Sequence, residues 1–171
     1  MILGEFKRLL ALCGYPQSWA AVGSIRKVIA RSAAPASVTG TTSPTTLASV
    51  NIPAGAMGAN GALMITMRWS STNNANTKTT TVKLGSASTY APSFAGSAGA
   101  GETMWIENRN SQSSQLWTPS TVSVSGTTST AVGTSSIDTS QAQTLSIIGT
   151  LANASDTLTL ESYNVELIAK S

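Results

Sequence analysis

The spacing of hydrophobic positions changes once along the chain, from a helical period to an alternating one. Apolar residues first recur three or four apart, as in an amphipathic helix: Ile2, Phe6, Leu9, Leu10 and Cys13. The residues Gly14-Tyr15-Pro16 end that helix. A second short helix is predicted to begin at Ser18 and to carry Trp19, Val22, Ile25 and Ile29. Neither helix is long enough to be stable alone in water, so each needs a surface to lie on.

From Val38 onward, apolar and polar residues alternate, which predicts β-strands. The clearest strand covers residues 63–69, where four apolar side chains share one face. The other predicted strands are 45–52, 77–84, 102–109, 121–125, 134–138, 144–151 and 157–169. The last of these carries apolar groups on both faces, which predicts a strand in the middle of a sheet. Residues 90–101 and 112–119 are predicted loops.

The strand pattern predicts the fold class. Seven to nine short strands with turns between them and no crossover helix favour an all-β, jelly-roll-like two-sheet sandwich. The predicted division is a basic amphipathic docking arm at residues 1–36, partly helical, and a β-sandwich body at residues 37–171. Residues 32–37, which include Pro35, form the predicted hinge.

Charge is scarce and unevenly placed. Charged residues make up 10% of the chain, against about 25% in typical soluble domains. The net charge is +3, and the basic excess lies near the N-terminus. A protein with so few charges has little to hold it apart from its neighbours, which favours a role inside an assembly.

The single cysteine, Cys13, excludes an intrachain disulfide. The apolar run after Arg8 is short, and no small-residue cleavage site follows it, so no signal peptide is predicted. No stretch reaches the roughly eighteen apolar residues of a membrane span. We therefore expect synthesis in the cytoplasm and no membrane partner.

The sequence argues against an enzyme. It contains no histidine, which excludes a serine–histidine hydrolase and the usual histidine metal sites. Glu102 and Glu107 lie five apart in one predicted strand and so point to opposite faces. Asp138 and Asp156 are each next to serine or threonine, where carboxylates usually bond the backbone of a turn. We expect no catalytic residues, no metal and no cofactor.

Aromatic residues are the candidates for contact with a partner. Trp69 lies on an apolar strand face and is predicted to fill the core, whereas the pattern leaves Trp105 undecided. Trp117 lies in a predicted polar loop and is the best candidate for an exposed contact, together with Tyr90. An ordinary packed tryptophan remains the alternative for Trp117.

The basic N-terminal segment has two interpretations. Its cations could bind nucleic-acid phosphates, or the segment could dock on another protein with its apolar residues buried. Docking is favoured because the apolar spacing is as regular as the basic one, and nucleic acid is not an expected partner. The predicted docking residues are Phe6, Lys7, Arg8, Leu9, Trp19, Ile25, Arg26, Lys27 and Arg31.

Several segments of the body resemble structural proteins of tailed bacteriophages. They are the segments from Thr45 to Gly61, Leu63 to Ser70, Asn73 to Lys78, Glu107 to Gln112, Ser136 to Ser140 and Gly149 to Leu158. The resemblance covers most of residues 39–168 and none of the arm. It implies a component of the virion and brings no catalytic residues with it.

Three functions follow as hypotheses. The first is a capsid decoration protein that docks on the major capsid protein through its arm and forms a dimer or trimer. The second is a tail-fibre or tail-tip module that docks on a tail protein and recognises a host glycan. The third, a glycan depolymerase, is disfavoured because histidine is missing and the carboxylates are unpaired.

Overall fold

The computed structural model describes residues 25–117 and 132–169, and within them every regular element is a β-strand. No helix in this part is long and apolar enough to cross a membrane. The strands are β1 (Ile25–Ser32), β2 (Ala36–Thr39), β3 (Thr45–Ile52), β4 (Ala62–Ser71), β5 (Lys78–Leu84), β6 (Ala87–Tyr90), β7 (Ser93–Phe94), β8 (Gly99–Asn108), β9 (Gln115–Trp117), β10 (Gly133–Ser135), β11 (Gln143–Leu151) and β12 (Thr157–Ala169).

These strands form two antiparallel sheets. The larger sheet has the order β1-β12-β4-β8-β9-β10, and β2 also pairs with β12. The smaller sheet has the order β3-β11-β5-β6, and β7 also pairs with β5. The all-β, two-sheet part of the predicted fold class is confirmed.

The pairing order is that of a jelly roll. Four antiparallel pairs are nested along the chain, so that each encloses the next: β2 with β12, β3 with β11, β4 with β8, and β5 with β6. Successive pairs lie in alternate sheets, as when one long hairpin is rolled up. β1 extends the larger sheet beside β12, and β9 and β10 extend its opposite end.

The core lies between the two sheets. Alternate residues of each strand point inward, as the period of two requires. Leu63, Ile65 and Met67 of β4 are fully buried, and they share one core with Val82 of β5 and Ile147 of β11. Trp69 is 3% exposed, which confirms its predicted place in the core.

A β-bulge explains the unusual pattern of the last strand. β12 shifts register between Leu160 and Ser162 where it pairs with β4. Before the bulge the even-numbered Leu158 and Leu160 are buried, and after it the odd-numbered Val165 and Leu167 are buried. β12 lies inside its sheet, as predicted. Only one of its faces packs on the core, and the bulge switches that face from even-numbered to odd-numbered residues.

The predicted second helix is wrong from Ile25 onward. Residues 25–32 form strand β1, which pairs with β12 from Ile25 opposite Ala169 to Ser32 opposite Tyr163. Ile25 and Ile29 are spaced as in a helix, but pairing with β12 satisfies the backbone of this segment. Residues 25–32 therefore belong to the sandwich, although they fall within the predicted arm.

The predicted loops are partly strands. Residues 90–101 contain β7 and the start of β8, and residues 115–117 form β9. Trp117, the candidate for an exposed contact, is only partly exposed, in keeping with the alternative of a packed tryptophan. Its indole is half-buried and packs on the core, and it lies so close to Gly133 that a Cβ there would come within 2.2 Å of the ring. The predicted strand at 121–125 lies outside the described residues.

The turn before β4 follows its sequence signals. Gly55 and Gly58 have φ angles of 67° and 60°, which residues with a side chain rarely adopt. Both glycines therefore supply the left-handed backbone conformation that this turn requires. This turn leads the chain into β4, the strand that carries part of the outer surface described next.

Candidate functional site

The outer face of the larger sheet presents an ordered grid of polar side chains. In one row, Arg31 of β1 lies opposite Asn164 of β12, which lies opposite Thr66 of β4, and Thr66 lies opposite Thr103 of β8. In the next row, Ser162 lies opposite Arg68, which lies opposite Gly101. A third row runs from Val28 through Glu166 and Met64 to Trp105.

A groove of about 460 Å³ lies on this face, across strands β1, β12 and β4. That volume falls within the range of small-molecule sites, roughly 300–1,000 Å³. The groove residues are Val28, Arg31, Ala33, Thr66, Arg68, Ser162, Tyr163, Asn164 and Glu166. Three separate strands therefore supply its polar groups, which the sheet holds in fixed register.

The one carboxylate in the groove already has partners. Glu166 forms an ion pair with Arg26 of β1. It also accepts a hydrogen bond of 2.7 Å from Nδ2 of Asn164. The charges of Glu166 and Arg26 cancel locally, so the groove is left with the positive charge of its other residues.

That positive charge comes from Arg31 and Arg68. Both are exposed, and neither forms an ion pair with another described residue. Arg68 extends over Gly101, where its Nη1 lies 3.1 Å from the position that a Cβ would take. Gly101 thus leaves room for the guanidinium beside β8. Both guanidiniums are positioned to bind an anion.

Asn164 brings an unsatisfied acceptor into the groove. Its Oδ1 is buried and has no hydrogen-bond partner among the described residues. The orientation of the amide is fixed because Nδ2 donates to the Glu166 carboxylate, which can only accept. A buried carbonyl oxygen without a donor costs free energy. A ligand with a hydroxyl or N–H group would satisfy it.

Trp105 lies beside the groove on the same face. It is 37% exposed, and the residue opposite it on β4 is Met64. An exposed indole on a flat sheet is a surface on which a sugar ring or another apolar face can pack. The sequence pattern left Trp105 undecided; its outward position follows from the burial of Met104 and Ile106 on either side.

Comparisons with known proteins yield structural neighbours only. No family model matches the chain, and no curated protein matches it in sequence. A CBM36-1 domain of a multidomain xylanase from the hindgut metagenome of Trinervitermes trinervoides aligns with a TM-score of 0.40 at 18% identity. That alignment covers 79% of this chain and 77% of the xylanase domain.

Two further solved structures align over most of the chain. Dimeric latent PorU from Porphyromonas gingivalis gives a TM-score of 0.43 at 8% identity, and infectious bursal disease virus strain Gx gives 0.28 at 10% identity. The alignments cover 90% and 86% of this chain but 13% and 41% of those proteins. At such scores these likenesses carry no argument about function.

The structure separates the predicted docking residues. Ile25, Arg26, Lys27 and Arg31 lie on β1, with Arg26 and Arg31 on the outer face beside β12. Tyr90 ends β6, and its backbone pairs with Val82. The four predicted docking residues on β1 thus belong to a sheet and not to a detached arm. The others, which lie outside the described residues, are Phe6, Lys7, Arg8, Leu9 and Trp19.

The groove was not predicted from the sequence, although the pattern of β4 contains part of it. Alternation in β4 already placed Thr66 and Arg68 opposite the apolar face. The contribution of β12 was not predictable, because the bulge shifts the register so that Ser162, Asn164 and Glu166 face outward. The partner strands of β4 could not be identified from the sequence.

A second carboxylate, Glu102, lies on the inner side of β8. Its oxygens accept hydrogen bonds from Trp69 Nε1 at 3.0 Å and from Thr80 Oγ1 at 2.9 Å. It therefore links the larger sheet to Thr80 of the smaller one. Burial raises the pKa of Glu102, and the hydrogen bonds from Thr80 and Trp69 offset this in part.

We predict that Glu102→Gln makes the protein more stable than the unaltered chain at neutral pH. A raised folded-state pKa means that the protonated form contributes stability at low pH, and that this contribution is lost as the pH rises through the folded-state pKa. Glutamine keeps an acceptor for Trp69 and Thr80 without the buried charge. The difference in melting temperature between variant and parent should grow from pH 4 to pH 7.

The control is Glu107→Gln, which changes an exposed carboxylate on the opposite face of the same strand. Its melting temperature should follow that of the parent across the same pH range. A Glu102→Gln protein whose difference from the parent does not change with pH would contradict the raised pKa.

The described residues form no cluster of metal ligands. In residues 25–117 and 132–169 there is no group of three or more cysteine, aspartate or glutamate side chains that could hold an ion.

Proposed function

We propose that this chain is a non-enzymatic structural component of a bacteriophage virion, most simply a capsid decoration protein attached through its N-terminal residues. The resemblance to tailed-phage proteins supplies the phage context. The structural observation that supports the assembly role is strand β3, a long, uncharged strand at the edge of the smaller sheet among the described residues.

Among the described strands, β3 is a long edge strand without charge, and a bulge at Leu47 is the one feature that discourages pairing along it. It spans Thr45–Ile52, ends the smaller sheet and pairs on one side with β11. It contains no charged residue and no proline. An edge strand with these properties offers unpaired backbone donors and acceptors to another strand.

The other sheet edges are protected in the usual ways. β1 carries Arg26, Lys27 and Arg31 and has a bulge between Val28 and Ala30. β6, β7 and β10 are four, two and three residues long. Charge, bulges and shortness each discourage edge pairing. Two copies of β3 would meet without charge repulsion, so we propose that this edge joins copies of the chain.

The described carboxylates support a role without catalysis. A glycosidase needs two carboxyl groups on either side of one bond. Here five of the six described carboxylates have separate local partners, and the sixth, Glu107, is exposed on the face of β8 opposite Glu102. The five are Glu102 with Trp69 and Thr80, Asp138 with Ser140, Asp156 with Asn74 and Asn76, Glu161 with Ser70, and Glu166 with Arg26 and Asn164.

The first test is the copy number of this chain in purified particles, measured by quantitative mass spectrometry against the major shell protein. A decoration protein should be present within a small factor of the shell protein. A protein that begins at residue 25 keeps every described strand, and we expect it to remain folded by circular dichroism but to lose particle binding. Removing residues 1–34, by contrast, would strip β1 from β12 and expose the edge of a core strand.

The three possible departures from these expectations have distinct meanings. Absence of the chain from purified particles would overturn the virion proposal. Full binding by the protein that begins at residue 25 would place the docking surface on the sandwich. A few copies per particle would favour a tail or a single vertex over the shell.

The groove on the larger sheet favours a second candidate function, host recognition by a tail-fibre or tail-tip module. Its unpaired arginines and the unsatisfied Asn164 oxygen are the features of a binding site and have no evident role in stability. In this alternative the host ligand is a surface glycan, bound at the groove. The sequence had placed such a site at Trp117, which is half-buried.

A further inference from the structure

We propose that the groove on the outer face of the larger sheet binds an anionic saccharide, with Arg31 and Arg68 holding its acidic group and Asn164 accepting a sugar hydroxyl. This deepens the host-recognition alternative by naming its ligand class, and it does not depend on where the protein sits in the particle. The inference rests on three independent features of the groove.

The first feature is a pair of guanidiniums that have no counter-ion among the described residues. Arg31 and Arg68 lie two strands and one row apart in the grid. Strand spacing places their Cα atoms about 12 Å apart, so the two long side chains can approach one ligand from two sides. Guanidinium groups bind carboxylates and phosphates through paired N–H donors. The Glu166 charge does not compete, since Arg26 neutralises it.

The second feature is the Asn164 acceptor. The buried Oδ1 needs a donor, and an acidic group cannot provide one when ionised. The ligand must therefore carry hydroxyl or N–H groups next to its anionic group. Thr66 and Ser162, in neighbouring positions of the groove, add hydroxyls that can donate and accept. A sugar ring with an acidic substituent meets all these requirements.

The third feature separates a saccharide from an acidic peptide. Trp105 presents an exposed indole on the same face, two strands from Glu166 along one row. Sugar rings pack on such flat surfaces through their C–H groups. Strands β12 and β4 are paired on both sides, and β1, the edge strand of the groove, carries charges and a bulge that discourage pairing with an extended peptide. The observations therefore favour a saccharide.

The experiment is calorimetric titration of the full chain with four probes at low salt. They are an oligogalacturonate, a sugar phosphate, a neutral oligogalactoside and a glutamate-rich peptide. We expect binding of the acidic saccharides and at least tenfold weaker binding of the neutral one. The carboxylate and phosphate probes reveal which acidic group the groove prefers.

Variants assign the binding to the groove. Arg68→Ala should weaken binding of the acidic saccharide at least tenfold, and Arg31→Ala/Arg68→Ala should abolish it. Arg68→Lys should recover part of the loss, because it restores charge without the paired donors. Asn164→Ala should weaken binding with little change in its salt dependence. The matched control is Arg109→Ala, an exposed arginine beyond the end of β8, which should bind like the parent.

Several outcomes would overturn the proposal. The first is that neither acidic saccharide binds, and the second is that the neutral saccharide binds as tightly as the acidic ones. The third is that Arg31→Ala/Arg68→Ala binds the acidic saccharide as tightly as the parent does. Tighter binding of the glutamate-rich peptide through the same arginines would make the groove a protein-docking site. Because the virion proposal assigns particle attachment to residues 1–24 and the groove is formed by other residues, the double variant should still be incorporated into particles, so this failure and failure of the virion proposal can be distinguished.

Discussion

Replacing Lys78 with methionine should lower the melting temperature by on the order of 10 °C, since it removes the cation from a buried ion pair. Lys78 is completely buried at the start of β5, and Asp156, just before β12, is 2% exposed. The Lys78 Nζ and the Asp156 Oδ2 are 3.4 Å apart. Methionine fills much of the same volume but leaves the carboxylate without its counter-charge.

The surrounding hydrogen bonds explain why the pair is stable in the parent. Asn74 and Asn76 donate to the two oxygens of Asp156 at 2.7 and 3.0 Å. Lys78 donates to Asn74 Oδ1 and to the carbonyl of Asn76. The cluster thus ties the β4–β5 turn to the turn before β12. One missing member leaves several buried polar atoms without partners.

The pair also predicts a pH dependence. Burial alone raises the pKa of Asp156, but hydrogen bonds from Asn74 and Asn76 and the charge of Lys78 outweigh it, so the pKa lies below its usual range. A lowered folded-state pKa means that the carboxylate contributes stability above about pH 4, the usual aspartate value. That contribution is lost as the pH falls through the folded-state pKa. The parent should therefore lose stability in acid more steeply than Lys78→Met.

Thermal unfolding monitored by circular dichroism at pH 7 measures the main effect. Lys83→Met is the matched control, because Lys83 lies on the same strand with its side chain partly exposed. It should change the melting temperature little. Adding Asp156→Asn to Lys78→Met should recover part of the loss. An unchanged melting temperature in Lys78→Met would show that the pair contributes nothing to stability.

The strands themselves were largely predictable, because alternation depends on local sequence. Residues 45–52 and 157–169 were predicted with the bounds that β3 and β12 have. The failure at residues 25–32 has a different cause. Ile25 and Ile29 are spaced as in a helix, and the segment becomes a strand because β12 offers it a paired edge. Pairing with β12 determines the conformation of residues 25–32, and the pattern of these residues alone does not indicate that pairing.

The functional groups were less predictable than the strands. Asp156 was expected to bond only the backbone of its own turn, as Asp138 does with Ser140. It instead pairs with Lys78, 78 positions earlier in the chain, which no local pattern indicates. The groove likewise combines β1, β12 and β4, whose adjacency follows from the nested jelly-roll pairing. Its residues become a site only when the topology is known.

Replacing Gln115 with leucine should lower the free energy of unfolding by about 3 kcal/mol, since it removes one amide that serves several buried groups. Gln115 is fully buried on β9. Its Nε2 donates to Asn108 Oδ1 at 3.0 Å and to the Ile137 carbonyl at 2.9 Å. Its Oε1 accepts from the Ile137 backbone N–H at 2.9 Å and from Ser135 Oγ at 3.0 Å.

These bonds make Gln115 the link between β9 and the segment that follows β10. Leucine has a similar volume and no polar atoms, so the variant isolates the loss of the hydrogen bonds from a loss of packing. Urea unfolding measures the change, and hydrogen exchange at the Ile137 amide should become faster. Gln141→Leu, at an exposed amide in the turn before β11, is the matched control and should leave both readouts near those of the parent. Unchanged exchange at Ile137 in Gln115→Leu would mean that the segment after β10 is held by its other contacts, among them the bond from Thr139 Oγ1 to the Gln112 carbonyl.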